Sequence, residues 1–508
     1  MRRFWLFFPL VVACFLAATA PAFAKGDTLT VGMGAEARTL DPHMSPYGIC
    51  HSFMCQLYEG LVGTDENGNV VPVLAERWEL QEDGKTFKFF LKKGIKFHNG
   101  EIMTADDVVF SFKRASGPEG GAVKALAQYL DPTGVEKVDD HTVLLRSKGP
   151  MPAVFIDSLV HPWASVLSKK AVEAAGKDYG QNPVSTARFK FESWQKGNRI
   201  ILTRFDDYHG EKAKLKRMIL RVLVESATRT IELESGAIDL AIEPPLVDIS
   251  RLRDNSALQV VQTPGQRQFF LGFDVNKPPY NDPRVREAID LAVDREGIVK
   301  AVYRGYAVVA RGPVANVVTY NRYDKTPPIK RDLERAKQLL KEAGYPKGFE
   351  KCEILTCDRS EYLALATILQ ENLRSIGLEM PIKVFEWGAY SSVMPTPGRE
   401  LIIHNWSGSP TTPDPFFFLN RTWHTNSGMS NICFLHDAEI DALLDKGASL
   451  SNGPEREAVY GAVWDRLNAL RPAVFLATPT ANFASVKELA GIRYTSSLIN
   501  YFGNAYFK

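Results

Sequence analysis

The chain has 508 residues, too many for one hydrophobic core, so two or three domains are expected. Hydrophobic residues make up 45% and charged residues 24%, the balance of an ordinary globular protein. The formal net charge is +2 with no basic run, which gives no reason to expect nucleic acid or an anionic membrane surface as a partner.

The first 24 residues read as an address. Arg2 and Arg3 precede a mostly apolar stretch, and Ala22-Phe23-Ala24 is a small-x-small cleavage site. Their removal leaves acids and bases equal in number. Val11-Val12-Ala13-Cys14 loosely fits a lipid-attachment box, but the residues after Cys14 stay hydrophobic. No later segment approaches the ~20 apolar residues that span a bilayer. A mature protein starting near Lys25 and working outside the cytoplasm is expected, in a compartment that permits disulfides. Its five cysteines, Cys50, Cys55, Cys352, Cys357 and Cys433, are odd in number and leave connectivity open. On a strand, Cys352 and Cys357 would face opposite sides.

In chain order, residues 29–33 read as a strand and residues 53–60 as a helix. Residues 83–114, DGKTFKFFLKKGIKFHNGEIMTADDVVFSFKR, alternate at Phe87, Phe89 and Leu91, break at Lys93-Gly94, resume at Ile95 and Phe97 as a short second strand, and turn at Asn99-Gly100. Thr104 and Asp107 form a capping box for a helix carrying Val108, Phe112 and Ala115. Hairpins are expected at Asn67-Gly68 and Asp139-Asp140, and strands at 200–204, 218–224 and 268–273. Asp282-Pro283 and Asp332 start two further helices, the second ended by Gly344.

Phosphate-loop, zinc-protease, nucleophile-elbow and dinucleotide motifs are missing, which argues against an enzyme. Residues 43–55, HMSPYGICHSFMC, hold His43, Met44, Cys50, His51, Met54 and Cys55, possible ligands for a soft metal. The simpler account makes Cys50, Phe53, Met54 and Leu57 the buried side of a helix.

The 83–114 block resembles the signature of the large extracytoplasmic solute-binding proteins of ABC transporters, the peptide/nickel-binding family 5. Seven further segments resemble the same family in order: ARTLDPH with LYEGLVGTDENG and VPVLAERWELQEDG near the start, then LESGAIDLAI, PPYNDPRVREAIDLAVDREGIV, AKQLLKEAGYP and DAEIDALLDKG. The resemblance implies an α/β, two-lobe periplasmic-binding-protein fold with a subdomain inserted in the first lobe. Lobe 1 would comprise 25–64 and 185–268, the inserted subdomain 65–184, lobe 2 269–480, and a return to lobe 1 481–508.

It further implies a monomer that captures a short peptide or peptide-like molecule between its lobes, without a cofactor, and delivers it to permease subunits in the inner membrane. A metal or metallophore binder of the same family, and an extracytoplasmic chaperone or enzyme, are the alternatives. By the same resemblance the segment after Leu40-Asp41-Pro42, with Tyr47, lines the cleft. The loop after a strand at 401–403, HNWSGSPTTPDPFFF, supplies Trp406, Ser407, Gly408 and Ser409. Peptide-binding relatives carry an amine-binding aspartate where this chain has Ser409; Asp414, five residues on, is either its replacement or a turn residue. Arg188, in NPVSTARFKF, stands where relatives have proline and is either a partner for a ligand carboxylate or a solvated arginine. Arg359 is a second carboxylate candidate, and Trp387 either lines the ligand or packs in a core.

Overall fold

The computed structural model describes residues 26–45, 48–117, 125–349, 352–409 and 411–508. Tyr47, the side chain of Cys50 and the leader therefore lie outside the described residues.

Three sheets organise the chain. A seven-stranded sheet runs in the order Leu258–Thr263, Ala481–Val486, Leu240–Ile242, Thr28–Met33, Arg217–Val222, Arg199–Arg204 and Phe189–Gln195. Its centre is parallel, Thr28–Met33 lying between Arg217–Val222 and Leu240–Ile242. A six-stranded sheet runs Ala307–Val309, Ala473–Pro479, Gln268–Gly272, Leu401–Trp406, Ile354–Cys357 and Ile382–Phe385. A four-stranded antiparallel sheet, from Ala75–Leu80 to Thr142–Ser147, stands apart from both. Each has its own buried core. Leu29, Val31, Leu202 and Leu220 belong to the first, Phe269, Leu271, Ile289 and Trp464 to the second, and Phe87, Phe89, Val108 and Val143 to the third. The architecture is a mixed α/β two-lobe binding-protein fold with an inserted subdomain.

The lobes are joined where Leu258–Thr263 of the first sheet passes to Gln268–Gly272 of the second, and where Ala473–Pro479 passes back to Ala481–Val486. The two crossings touch. A Cβ on Gly265 would lie 1.8 Å from the Pro479 carbonyl oxygen, so only glycine lets the backbones pass.

Local readings hold where the signal is local. Asp107 accepts from the Thr104 backbone N–H at 3.0 Å and starts the helix Ala105–Ser116. Asp282, before Pro283, accepts from Arg284 N–H, and Asp332 from Arg335 N–H. The expected helix at 53–60 runs instead over Gly48–Leu57. The second strand at Ile95 and Phe97 reduces to one bridge, Lys96 to Ile102, because Gly94 and Gly100 take φ of +71° and +88° and turn the chain before a ladder extends. Cys55, Cys352, Cys357 and Cys433 form no disulfide among the described residues.

Candidate functional site: the seam between the lobes

The strand Leu401–Trp406 ends at the seam, and its loop is held open by constraint. A Cβ on Gly408 would sit 1.9 Å from the Phe418 ring, so this position admits only glycine. The Trp406 ring is half-buried against the second-lobe core, edge-on to His404 at 4.6 Å, and its indole N–H is buried without a partner among the described residues. Ser407 is exposed. Ser409, 2% exposed, is the centre of the loop. Its Oγ accepts from Thr411 N–H at 3.2 Å and Thr412 N–H at 3.1 Å, and lies 3.0 Å from His161 Nε2.

That last contact crosses the seam, since His161 belongs to the inserted subdomain, among Leu159, Ala164 and Val166 of its core. The tautomer of the ring decides which of the two atoms donates, and His161 Nδ1 has no partner among the described residues. His161 stacks on Trp163 at 3.7 Å, and His51, on the helix Gly48–Leu57, meets Trp163 edge-on at 5.7 Å. Phe417 of the second lobe closes on His161 at 6.0 Å. Neither ring nitrogen of His51 is hydrogen-bonded among the described residues. Burial lowers the His51 pKa to about 4, and burial with the nearby His51 lowers that of His161, so both rings are neutral at physiological pH.

A second joint lies alongside. Asp414 accepts from Arg456 at 2.9 Å in a two-pronged ion pair, with Arg456 fully buried, and also from Phe416 N–H at 2.9 Å. Asp157, on the helix Pro152–Ser158 of the inserted subdomain, faces this pair. Burial and the adjacent Asp414 push its carboxyl well above the usual carboxylate range, so it holds a proton and hydrogen-bonds Asp414. The Asp414 carboxylate is thus committed to Arg456 and Asp157.

Three cavities follow the seam. One of 220 Å³ lies between residues 64–68, Gln266, Ser409, Thr411 and the tail near Arg493. One of 600 Å³ opens between Asn67, Trp78 and Asp157 on one side and Tyr320, Pro413 and Asp414 on the other. A third, of 770 Å³, is lined by first-lobe and inserted-subdomain residues with Thr263 of the crossing, among them Glu59, His161, Arg188, Tyr208 and Arg493.

The structure thus brings Ser409, Asp414 and Arg188 to the cavities. It places Arg359 and Trp387 elsewhere: the exposed guanidinium lies 3.6 Å over the Trp387 ring, and neither lines any of the three. Sequence reasoning missed His161, Trp163, Asp157 and Arg456. The run His161-Pro162-Trp163 was the one available signal. Among the described residues, no three His, Cys, Asp or Glu side chains are grouped to hold a metal ion. His43 instead bonds the Ser165 carbonyl at 3.1 Å, while Phe53, Met54 and Leu57 are core.

Two lobes joined by crossing strands, with a polar seam between them, define a binding protein that closes around its ligand. Residues 69–429 match the model of the bacterial extracellular solute-binding proteins, family 5, middle region, and the chain belongs to that family. The glutathione-binding protein GsiB of Pectobacterium atrosepticum is 28% identical over 97% of this chain and 96% of its own. The dipeptide-binding protein of Escherichia coli is 30% identical over 86% and 85%. In fold, the ABC transporter-associated periplasmic binding protein DppA from Helicobacter pylori, solved with the peptide STSA, superposes with a TM-score of 0.79 at 29% identity, covering 94% of this chain and 98% of that one. The family is extracytoplasmic, and among the described residues no helix is long and apolar enough to cross a membrane.

Proposed function

We propose that the chain, secreted by cleavage of residues 1–24, captures a short peptide or peptide-like solute between its lobes and hands it to the permease subunits of an ABC importer, as a monomer and without turnover. The observation that carries this reading is the seam itself: linked cavities closed by polar contacts whose partners come from both sides. Closure requires only that the solute bind the closed form better than the open one. The Ser407 and Ser409 backbone and Trp406 are the proposed contacts around the His161–Ser409 joint, with Arg359 and Trp387 a proposed outer rim on the second lobe and Tyr47 a further proposed ligand contact. Asp414 is proposed to act through Asp157, whose proton a ligand ammonium would replace.

The similarity to proteins named for glutathione and dipeptides, and to one solved with a peptide, supports a peptide-like cargo. Native mass spectrometry of protein released gently from the periplasm tests it. A co-purified peptide-sized mass, lost on partial unfolding and regained with a di- to tetrapeptide mixture, is expected. Protein that arrives empty and captures nothing from the mixture sinks the reading.

A further inference from the structure

The 770 Å³ chamber differs from the other two cavities in its number of guanidiniums as well as in size. Its lining carries two guanidiniums, Arg188 and Arg493, and neither has a carboxylate within ion-pair distance among the described residues. Arg188 Nη1 donates to the Gly503 carbonyl at 3.3 Å and to the Asn504 side-chain oxygen, and its guanidinium lies 5.4 Å from the centre of the Tyr208 ring. Arg493 Nη1 donates to the carbonyls of Thr64 and Asp65, each at 2.6 Å, while its guanidinium stacks 3.7 Å over Tyr501. Every one of these partners is neutral.

Two of the chamber's acids, by contrast, are already satisfied from within. Glu59 accepts from Tyr208 at 2.6 Å, Thr186 at 2.9 Å and His209 at 3.0 Å. The Asp65 carboxylate accepts from the Asn67 and Asn69 backbones at 2.9 and 2.8 Å and from the Asn69 side chain at 3.0 Å, and Glu66 is exposed. Arg493 lowers the Asp65 pKa only as its weakest influence. Buried His161, its Nδ1 unpartnered, also lines this space. A chamber in which Glu59 and Asp65 are capped, Glu66 is exposed and both guanidiniums are held by oxygens of neutral groups can take an anion between the two arginines.

Deepening the peptide reading on which it rests, we propose that this chamber holds the ligand's acidic end, a carboxylate gripped between Arg188 and Arg493, and that the solute is therefore a free acid rather than a capped or cationic one. Both arginines are held in place by backbone carbonyls, so the grip is formed before the ligand arrives and costs little ordering.

Equilibrium titration tests this with glutathione and the peptide STSA, each beside its carboxamide form. The expected result is that the acids bind at least about tenfold more tightly than the amides. That difference should vanish in Arg188→Gln/Arg493→Gln and survive in Arg188→Lys/Arg493→Lys, both checked for native thermal melts. Equal binding of acids and amides to the wild type overturns the chamber's role and leaves the peptide reading intact. If neither probe binds, the peptide reading fails, and glutarate then decides for the chamber alone. A thermal stabilisation by millimolar glutarate, lost in the glutamine variant, upholds it; no stabilisation overturns it.

Discussion

The two joints across the seam are built from opposite chemistry. At His161–Ser409 the buried groups are neutral and under-bonded: His161 shares one hydrogen bond with a hydroxyl, and His51 makes none among the described residues. At Asp157–Asp414–Arg456 they are charged and over-supplied with acid, two carboxyls facing one guanidinium. Each is stable only in one protonation state, and the two states are favoured at opposite ends of the pH scale. The imidazoles must stay unprotonated, so acid opposes them; Asp157 must stay protonated, so base opposes it. A seam held by both has its closed form bounded on each side, whereas one kind of joint alone would lean one way.

Breaking the charged joint has the largest expected effect. Arg456→Leu leaves two carboxyls buried without a counter-charge, and removing one partner of such a pair costs about 3–5 kcal/mol. A melt at neutral pH should drop by many degrees, with part of the loss recovered on acidification as the carboxyls take up protons. A melt within one or two degrees of the parent would show the joint to be wet and its charges screened.

The neutral joint is tested by acid. The ordinary histidine value is about 6.5, and that of His51 in the folded chain is about 4. A depressed folded value means the stabilising contribution is present above pH 6.5 and is lost as the pH falls towards 4. For His51 alone this is on the order of 3 kcal/mol. His51→Phe should therefore flatten the acid limb of the stability curve, leaving the neutral melt nearly unchanged. An acid limb identical to that of the parent would mean His51 reaches solvent or a proton acceptor.

Asp157→Asn acts on the other limb. The amide can donate to Asp414 as the protonated carboxyl does, with no proton to lose. Its raised folded pKa means Asp157 contributes fully at low pH and loses that contribution as the pH rises through the raised value. The asparagine variant should thus be more stable at pH 7 to 8 by about 1 kcal/mol, the value of one retained hydrogen bond, with the gain fading below pH 4. Equal destabilisation at all pH values would point instead to a packing role.

How much of this could be read from the chain follows the range of the interactions. The capping box at Thr104 and Asp107 was legible because its partners are three residues apart, and the Asp282 and Asp332 caps were legible for the same reason. The family-like blocks, spread along the chain, made the fold class legible as well. The seam was not. Ser409 and His161 are 248 residues apart, and nothing local to a histidine before Pro162-Trp163 says which loop will meet it. Asp414 was visible as a candidate, but its partner Arg456 lies on the helix Pro454–Leu470, where an arginine reads as a solvent-facing residue. Arg359 and Trp387 failed to reach the cavities because stacking on each other satisfies both where they stand.

The smallest effect tells the two joints apart most finely. Ser409→Ala removes the only hydrogen bond His161 Nε2 makes, while the Thr411 and Thr412 backbone donors it served lie near solvent-filled space and regain water. The expected cost is about 1 kcal/mol, a single neutral hydrogen bond. Its pH signature matters more than its size. At this joint the titrating group is the buried neutral imidazole, whose pKa lies below its ordinary value. The acid limb should therefore change in Ser409→Ala and stay put in Asp157→Asn. If both substitutions moved the same limb, the joints would be one electrostatic unit and the contrast between them would fail.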